Sequence, residues 1–331
     1  QAAQAGYQLS YQIVSVNGQA FNSGTPLLST AFAITPGAAA KAVWVHAPAA
    51  TVANNVALES ADAGFKPTLK FTDAFGNQVS LDNTDALTVT TNSAATLAGA
   101  NATKVGDTLV FTGLTIRGLV GNVALAFAAN HGSTAMTFAG SAASKTVALT
   151  TGAADHLDLM TAAAGARDHA NFATQPVVVI RDIAGNTVDT TDSVDVNVSS
   201  GSATWNGVYT MHAVGGKADF ASAPLGLSGP VGTYTIEYFY NGLTAHQTIE
   251  LSAGDAYRLA VRTNITSGAK IATGSTFSTM PSLIAYDQTG NTVDANDVVG
   301  DVSAQLKRTG SATSYDSVDA SVVGGYLAFP G

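Results

Sequence analysis

The sequence predicts an all-β chain of tandem antiparallel β-sandwich domains arranged in a linear array. One motif, Pro-x5-Asp-x-x-Gly-Asn, begins at Pro67 and again at Pro176 and Pro281, so its copies lie 109 and 105 residues apart. A period of that length corresponds to a whole domain rather than to a solenoid unit. Turn residues recur between short alternating stretches, as in β-sandwiches, and no long stretch keeps a helical period.

The composition supports this fold class and disfavours some classes of partner. Among 331 residues, 46% are hydrophobic and only 11% are charged, which disfavours a charged disordered chain. A net charge of −9 argues against nucleic acid and anionic membranes as partners, because both attract basic patches. No apolar run approaches the ~18 residues of a membrane span. There is no cysteine, which excludes disulfide-stapled sandwiches and cysteine metal sites.

Each predicted module opens on a glycine hinge followed by a short apolar strand. The hinges are Gly37, Gly152 and Gly254. They place the modules at residues 37–150, 151–252 and 253–331. Joints of so few residues predict that neighbouring modules touch and that the array is semi-rigid.

The repeated motif consists of turn-forming residues placed at the end of a strand. In each copy the aspartate accepts hydrogen bonds from its own turn, while glycine and asparagine tolerate positive φ. The continuous apolar run at residues 177–180 predicts a strand covered on both faces. The predicted structural turn residues are Asp73, Gly76, Asn77, Asp182, Gly185, Asn186, Asp287, Gly290 and Asn291.

A second signature closes the modules. Residues 121–127 and 232–238 alternate apolar and polar side chains, which predicts one core-facing side. Asn130 with Gly132, and Asn241 with Gly242, then predict hairpin turns. Trp44 and Trp205 fit core or module-contact packing better than an exposed sugar-binding face.

The periodicity also assigns the two ends of the sequence. Ala5 aligns with Gly121, and Gln1 with Arg117, so residues 1–36 are predicted to be the final strands of an incomplete upstream module. Gly331 aligns with Gly113, so the module at 253–331 lacks its last strands. Two explanations fit. The residues are a window through a longer array, or the N-terminal strands of one protomer complete the last module of the next. The mass of the intact chain distinguishes them.

With the Asp-x-x-Gly-Asn-x-Val turn and the Gly-x-Tyr-x-Ile stretch at residues 232–236, the modules resemble bacterial Ig-like repeats. The similarity is to invasin/intimin-type and filamin-like repeats of surface adhesins and surface-layer proteins. The resemblance implies an Ig-like sandwich fold and a cell-surface, filament or adhesin-stalk role. Tyr234 lies where such folds place the tyrosine of their corner motif, and Val123 replaces it in the preceding module.

Candidate chemical sites are few. The sequence contains no Gly-x-Ser-x-Gly elbow, His-Glu-x-x-His motif or phosphate-binding loop, and its six histidines show no metal-ligand spacing. It therefore predicts no enzyme activity, no catalytic residue and no cofactor-binding residue. Acidic clusters follow the turns and are candidate Ca²⁺ ligands or simply polar loops: Asp82, Asp85, Asp189, Asp192, Asp294 and Asp297. Glycosylation sequons lie at Asn101, Asn197 and Asn264.

These observations predict a structural repeat region of an extracellular surface filament, sheath or stalk that provides mechanical extension and presentation. Its expected partners are further copies of itself, or a continuing array, and other surface components. Two alternatives stay open: an adhesin that binds glycan or protein through its loops, and accessory modules of a secreted carbohydrate-active enzyme. Exposed aromatic side chains clustered on one face would favour sugar binding.

Overall fold

In the computed structural model, which describes residues 4–12, 14–20, 24–140, 143–307, 309–310, 313–323 and 325–329, regular structure is almost entirely β. This confirms the predicted all-β class. The chain forms two compact units, one from Gln1–Ala153 with Asp182–Asn186, the other from Ala154–Arg181 with Thr187–Gly331. In the described part of the chain, no helix has the length and apolar character that a bilayer crossing requires.

The first unit opens with three short antiparallel strand pairs. Its strands are β1 (Gln4–Tyr7), β2 (Ser10–Tyr11), β3 (Ser15–Val16), β4 (Gln19–Ala20), β5 (Leu27–Leu28) and β6 (Phe32–Ile34). Strand β1 pairs with β6, β2 with β5 and β3 with β4. Asn17 and Gly18 join β3 to β4 with φ of 47° and 80°, the positive values of a tight hairpin turn. Gln1 and Gly331, the alignment points of the two ends, lie outside the described residues.

The remainder of the first unit is a sandwich of two five-stranded sheets with a small two-stranded sheet. One sheet has the order β10-β15-β18-β8 with β16 added to β15, the other has the order β12-β13-β9-β7-β17, and β11 pairs with β14. The strands are β7 (Lys41–His46), β8 (Thr51–Ala53), β9 (Thr68–Thr72), β10 (Ala86–Thr91), β11 (Thr96–Ala98), β12 (Thr103–Val105), β13 (Thr108–Val110), β14 (Thr115–Arg117), β15 (Gly121–His131), β16 (Thr134–Ala135), β17 (Thr137–Phe138) and β18 (Ser144–Thr150).

Strand β15 shows how the sequence pattern builds this core. Its buried side chains alternate with exposed ones along the strand, as predicted. The buried set, Val123, Leu125, Phe127 and Ala129, packs into one continuous apolar cluster with side chains of the facing sheet. The prediction for Asn130 is wrong, because Asn130 stays inside β15 and pairs with Ala86. The chain reverses after His131 instead, at Gly132, whose φ is 59°.

The second unit begins with eleven strands in three sheets. The sheet orders are β20-β29-β28-β23-β25, β19-β22-β26 and β21-β27-β24. The strands are β19 (Ala154–Thr161), β20 (Ala166–Arg167), β21 (Ala170–Asn171), β22 (Val177–Asp182), β23 (Ser193–Ser200), β24 (Thr204–Asn206), β25 (Thr210–His212), β26 (Lys217–Asp219), β27 (Gly226–Ser228), β28 (Gly232–Tyr240) and β29 (Leu243–Ser252).

Two sequence predictions are confirmed in this part of the second unit. Val178, Val179 and Ile180 of β22 are fully buried, so this strand is covered on both faces. Asn241 and Gly242 connect β28 to β29 with φ of 45° and 84°, the positive values that a tight two-residue hairpin needs.

The second unit ends with strands β30 (Arg258–Thr263), β31 (Ser282–Tyr286), β32 (Thr292–Val293), β33 (Ser303–Lys307), β34 (Ser314–Asp319), β35 (Ser321–Val323) and β36 (Tyr326–Ala328). They form a sheet of order β30-β31-β36-β35, with β32 on β31, and a separate β33-β34 pair. Helical structure in the described residues is limited to three 3-10 helices at Leu58–Ala61, Phe220–Ser222 and Ala295–Asp297. The boundaries predicted for the modules stay predictions.

Candidate functional site: the repeated aspartate turns

Each repeated turn is organised by its aspartate. In the second copy, Asp182 Oδ1 accepts hydrogen bonds from the backbone N–H groups of Ala184 and Asn186, both at 2.9 Å. Gly185 adopts φ of 85°, a value that side-chain-bearing residues rarely adopt. Asp287 in the third copy accepts from the N–H groups of Gly290 and Asn291. The motif therefore folds its own turn, as the sequence predicted.

The other face of the second turn contacts the rest of the first unit. Asn186 Nδ2 donates to the carbonyl of Gly118 at 3.0 Å, and Val120 N–H donates to Asn186 Oδ1 at 3.0 Å. Asp182 Oδ2 accepts from the N–H of Gly152 at 3.0 Å. These contacts, together with Asn54, define what we call the first clasp.

Asn54 completes the first clasp from β8 and its following turn. Its Nδ2 donates to Asp182 Oδ2 at 3.0 Å and to the carbonyl of Gly118 at 2.9 Å, and its Oδ1 accepts from Gly118 N–H at 3.2 Å. Asn54 and Asp182 are 2% and 0% exposed. A buried amide and a buried carboxylate thus satisfy each other, which is what burial of polar groups requires.

The same arrangement recurs inside the second unit and is called the second clasp. Asn291 Nδ2 donates to the carbonyl of Gly229 at 3.0 Å, and Val231 N–H donates to Asn291 Oδ1 at 2.9 Å. Asp287 Oδ2 accepts from Gly254 N–H at 3.0 Å. Asp168 takes the place of Asn54, and its Oδ1 accepts from Gly229 N–H at 2.8 Å.

The hinge glycines have a steric reason in both clasps. A Cβ at Gly152 would lie 2.6 Å from the carbonyl oxygen of Asn54, and one at Gly254 would lie 2.4 Å from that of Asp168. Both distances are far below van der Waals contact with a backbone atom. Glycine at these hinges therefore permits a close backbone approach rather than flexibility.

The first copy of the motif has the same local geometry. Asp73 accepts from the side-chain amide of Asn77 and from the N–H of Gly37, at 2.9 and 3.0 Å. Gly37 is thus to Asp73 what Gly152 is to Asp182. In all three copies a hinge glycine donates its N–H to the aspartate of the turn.

Hydrogen bonding holds these carboxylates ionised. The Asn77 amide and then the Gly37 N–H lower the pKa of Asp73 strongly. Burial alone would raise the pKa of Asp182, but the N–H of Gly152 and the amides of Asn186 and Asn54 outweigh burial and lower it to about 2. For Asp287 burial again opposes the donors, led by Gly254 N–H, and the pKa is lowered.

The arrangement is a means of attachment rather than of catalysis. The carboxylates of Asp182 and Asp287 are filled with N–H donors and are shielded from solvent. Hydrogen bonds to a charged acceptor stabilise by about 1.5–3 kcal/mol each, more than neutral ones. The sequence identified the turns but not their second set of contacts, because Gly118 and Gly229 lie outside the motif.

Four of the six calcium candidates, Asp189, Asp192, Asp294 and Asp297, lie in exposed positions. Asp192 accepts from the Tyr240 hydroxyl at 3.0 Å, and Asp294 caps the 3-10 helix Ala295–Asp297 through Asn296 N–H. Within the described residues, neither Asp189 with Asp192 nor Asp294 with Asp297 belongs to a set of three ligands able to hold an ion. Their calcium role stays a prediction.

The other two candidates, Asp82 and Asp85, form a mixed cluster with His131, for which the sequence spacing gave no signal. His131 Nδ1 lies 3.0 Å from Asp85 Oδ2, and its Nε2 lies 4.0 Å from Asp82 Oδ2. Asp85 Oδ1 also accepts from Gly132 N–H, so this carboxylate fastens the β15–β16 turn. His131 is 46 residues beyond Asp85, and only the pairing of β10 with β15 brings them together.

The remaining predicted residues are placed as follows. Asn101, Asn197 and Asn264 are exposed, and their glycosylation stays a prediction. Trp44 and Trp205 are half-buried and pack against Phe127 and Phe172, with ring centroids 5.0 and 6.3 Å apart. Packing of both indoles into the cores agrees with the sequence interpretation.

The tyrosine corner implied by the resemblance is present. Tyr234 is buried, and its hydroxyl donates to the carbonyl of Pro230 at 2.7 Å. Pro230 lies between Gly229 and Val231, whose backbone groups both form hydrogen bonds with the Asn291 side chain. The corner therefore supports the second clasp, whereas the first has Val123 at the corresponding position.

Comparison with solved structures gives similar surface proteins. The chain is 17% identical to FdeC, an Escherichia coli adhesin, covering 89% of this chain and 90% of that one with a TM-score of 0.37. With the D00-D0 domain of intimin it shares 11% identity over 63% of this chain and 96% of that one, with a TM-score of 0.31. With domains 4–9 of the surface layer protein SbsC it shares 14% identity over 80% of this chain, with a TM-score of 0.27. The match covers 38% of that structure, so the chain spans well under half of its length. An adhesin, an intimin and a surface-layer protein are the kinds of protein that the sequence motifs resemble. No protein-family model and no curated protein matches the chain.

Proposed function

We propose that the chain is a structural repeat region of an extracellular surface filament, sheath or stalk, and that it provides mechanical extension and presentation. The observation that carries this proposal is that the repeated motif makes long-range hydrogen bonds. Its asparagine side chains, Asn186 and Asn291, bond to backbone groups more than sixty residues away in sequence. What the sequence repeats is thus an attachment between distant parts of the chain.

The connections next to the clasps are short. Strand β18 ends at Thr150 and β19 starts at Ala154, and the hinge Gly152 lies between them. The same Gly152 donates its N–H to Asp182. A connection of so few residues, one of them hydrogen-bonded, differs from a long glycine-serine linker. This supports a structural repeat array rather than a set of loosely tethered binding modules.

The chemistry of the clasps supports a non-enzymatic role. A catalytic carboxylate needs access to substrate and a pKa near the working pH. Asp182 is fully buried, and its pKa is lowered to about 2. The repeated aspartates therefore suit permanent attachment. The expected partners are further modules of the same kind and other surface components, and the proposed location is the cell surface.

Immunogold electron microscopy of intact source cells tests this proposal. An antibody against the chain should label extended structures or a layer outside the cell, without permeabilisation. Labelling confined to permeabilised cells would contradict it. A glycan array probed with the purified chain tests the adhesin alternative, for which specific glycan retention would be the positive result.

A further inference from the structure

The mixed cluster of Asp82, Asp85 and His131 joins two segments of the first unit. Asp85 directly precedes β10, and His131 is the last residue of β15. His131 Nδ1 lies 3.0 Å from Asp85 Oδ2, and its Nε2 lies 4.0 Å from Asp82 Oδ2. One ligand atom from each of the three side chains can be chosen so that all lie within 4.8 Å of one another. Carboxylate oxygen and imidazole nitrogen are both common ligands of divalent transition metals.

Two of the three side chains are already fixed in place. The Asp85 side chain is 0% exposed, and its Oδ1 accepts from Gly132 N–H at 2.7 Å and its Oδ2 from Asp82 N–H at 2.9 Å. The His131 side chain is 23% exposed, and its ring stands edge-on to Phe71 with centroids 5.5 Å apart. Side chains that are ordered before a ligand arrives lose little conformational freedom on binding, which favours affinity.

The third side chain leaves the cluster open to solvent. Asp82 is 71% exposed at its side chain. Two ligand atoms on a tetrahedral Zn²⁺ lie about 3.3 Å apart, because the bonds to the metal are about 2.0–2.2 Å long. The 3.0 Å contact between His131 Nδ1 and Asp85 Oδ2 is close to that separation. Asp82 Oδ2 starts 4.0 Å from the ring, and rotation of its exposed side chain brings it to the same ion.

The second unit keeps the carboxylate but not the imidazole. Asp192 directly precedes β23, as Asp85 precedes β10, and it accepts from the Tyr240 hydroxyl at 3.0 Å. Burial, followed by the hydrogen bond to Asp192, raises the pKa of Tyr240, so the phenol keeps its proton and acts as a donor. A protonated phenol satisfies the carboxylate without offering a metal ligand. His131 therefore gives the first unit a donor set that the corresponding position of the second unit lacks.

We propose that Asp82, Asp85 and His131 bind one divalent transition-metal ion of the Zn²⁺ type. The ion lies between His131 Nδ1 and Asp85 Oδ2, the imidazole proton moves to Nε2, and Asp82 Oδ2 and a water complete the tetrahedron. An imidazole ligand in a set of three favours Zn²⁺ over Ca²⁺, which takes six to eight oxygen ligands. The bound ion crosslinks segments 46 residues apart in sequence.

Isothermal titration calorimetry of the full chain with Zn²⁺ tests the site. The wild type should bind one equivalent, and Asp82→Asn should weaken that binding at least tenfold. Because Asp82 is exposed, this variant should melt with the wild type in EDTA. His156→Gln is the matched control, since His156 Nδ1 also lies 3.0 Å from a carboxylate, that of Asp155, but belongs to no three-ligand set among the described residues. Its affinity should equal that of the wild type. Equal affinity in wild type and Asp82→Asn, or no stoichiometric binding by the wild type, would overturn the proposal.

Visible absorption of Co²⁺ gives a second, independent readout. Tetrahedral Co²⁺ absorbs far more strongly in the visible range than octahedral Co²⁺, so the coordination geometry can be read directly. The wild type should develop the strong band, His131→Gln should not, and excess Ca²⁺ should leave the band unchanged. A band that persists in His131→Gln would place the ion elsewhere. Loss of the wild-type band on adding Ca²⁺ would indicate an all-oxygen site, and either result would overturn the assignment.

Discussion

The two clasps share a backbone but not a charge. Gly152 and Gly254 donate to the repeated aspartates in the same way, and Asn186 and Asn291 bond to equivalent backbone groups. The first clasp then pairs a carboxylate with the amide of Asn54, whereas the second places the carboxylate of Asp168 in that position. The repeated motif therefore fixes the geometry of the attachment, and a residue outside the motif sets its electrostatics.

Removing the central aspartate of the first clasp should have the largest effect. Asp182→Ala leaves the Gly152 N–H and the Asn54 amide without their buried acceptor, and we expect a loss of about 3–5 kcal/mol in unfolding free energy. Asp287→Ala should cost less, because it also removes a negative charge near Asp168. Urea unfolding in EDTA measures both. A larger loss for Asp287→Ala would contradict the proposed difference in charge between the two clasps.

Substituting the hinge glycine should come next. Gly152→Ala places a Cβ 2.6 Å from a backbone oxygen, and we expect a loss of up to about 3 kcal/mol. Gly185→Ala is the control, since its Cβ would meet no atom within 4 Å and only its φ of 85° is unfavourable. That variant should lose about 1–2 kcal/mol. If the two variants unfold at the same urea concentration, the close approach at Gly152 is not what selects glycine.

Acid should release the first clasp. The folded pKa of Asp182 is lowered to about 2 from an ordinary value of 3.8. A lowered folded pKa means that its stabilisation is fully present above about pH 4 and is lost as the pH falls through about 2. The loss should be about 2 kcal/mol. Unfolding free energies at pH 5, 3 and 2 measure it, with Asp182→Asn as the control whose profile should be flatter. An equally steep profile in that variant would assign the loss to other groups.

Exchanging the distinguishing residue should convert one clasp into the other. Asn54→Asp places an oxygen against Asp182 Oδ2, and in EDTA at pH 7 we expect it to destabilise by roughly 1–2 kcal/mol. Asp168→Asn should stabilise by a similar amount. Chemical unfolding of both single variants and the double variant measures the exchange. Changes of the same sign in the two single variants would show that the positions are not equivalent.

The tyrosine corner should give the smallest effect. Tyr234→Phe removes the hydrogen bond to the Pro230 carbonyl, worth about 1 kcal/mol. The loss should be accompanied by faster amide exchange at Val231, which follows Pro230. Val123→Ala in the first unit is the control, because it forms a cavity without removing such a bond. Exchange at Val120 should show no local acceleration in this variant. A Tyr234→Phe variant with unchanged exchange at Val231 would separate the corner from the clasp.

Much of the fold could be predicted from the sequence because its signals are local. Alternation in β15 and β28, the apolar run of β22, and the asparagine-glycine turn at residues 241–242 all depend on neighbours in sequence. The Asp182 turn was predictable for the same reason. Asn130 was misjudged because a turn residue type also fits an exposed strand position, and the longer pairing of β10 with β15 decided the outcome.

The clasps could not be predicted in the same way. Asn54 and Asp168 carry no motif, and the repeated aspartates of their clasps, Asp182 and Asp287, lie more than a hundred residues further along the chain. Only the packing of the repeated turns against Gly118 and Gly229 gives these side chains a role. The sequence pattern marks the hinge glycines, but it carries no signal for the close backbone approach that requires glycine there.

Amide hydrogen exchange at the four clasp donors measures whether the repeated turns hold distant parts of the chain together. Val120 and Gly152 donate to the repeated turn in the first clasp, and Val231 and Gly254 in the second. If the repeated turns attach distant parts of the chain, these amides should exchange as slowly as core strands, at least about a thousandfold slower than free loops. Exchange at the rate of an exposed loop would contradict the account.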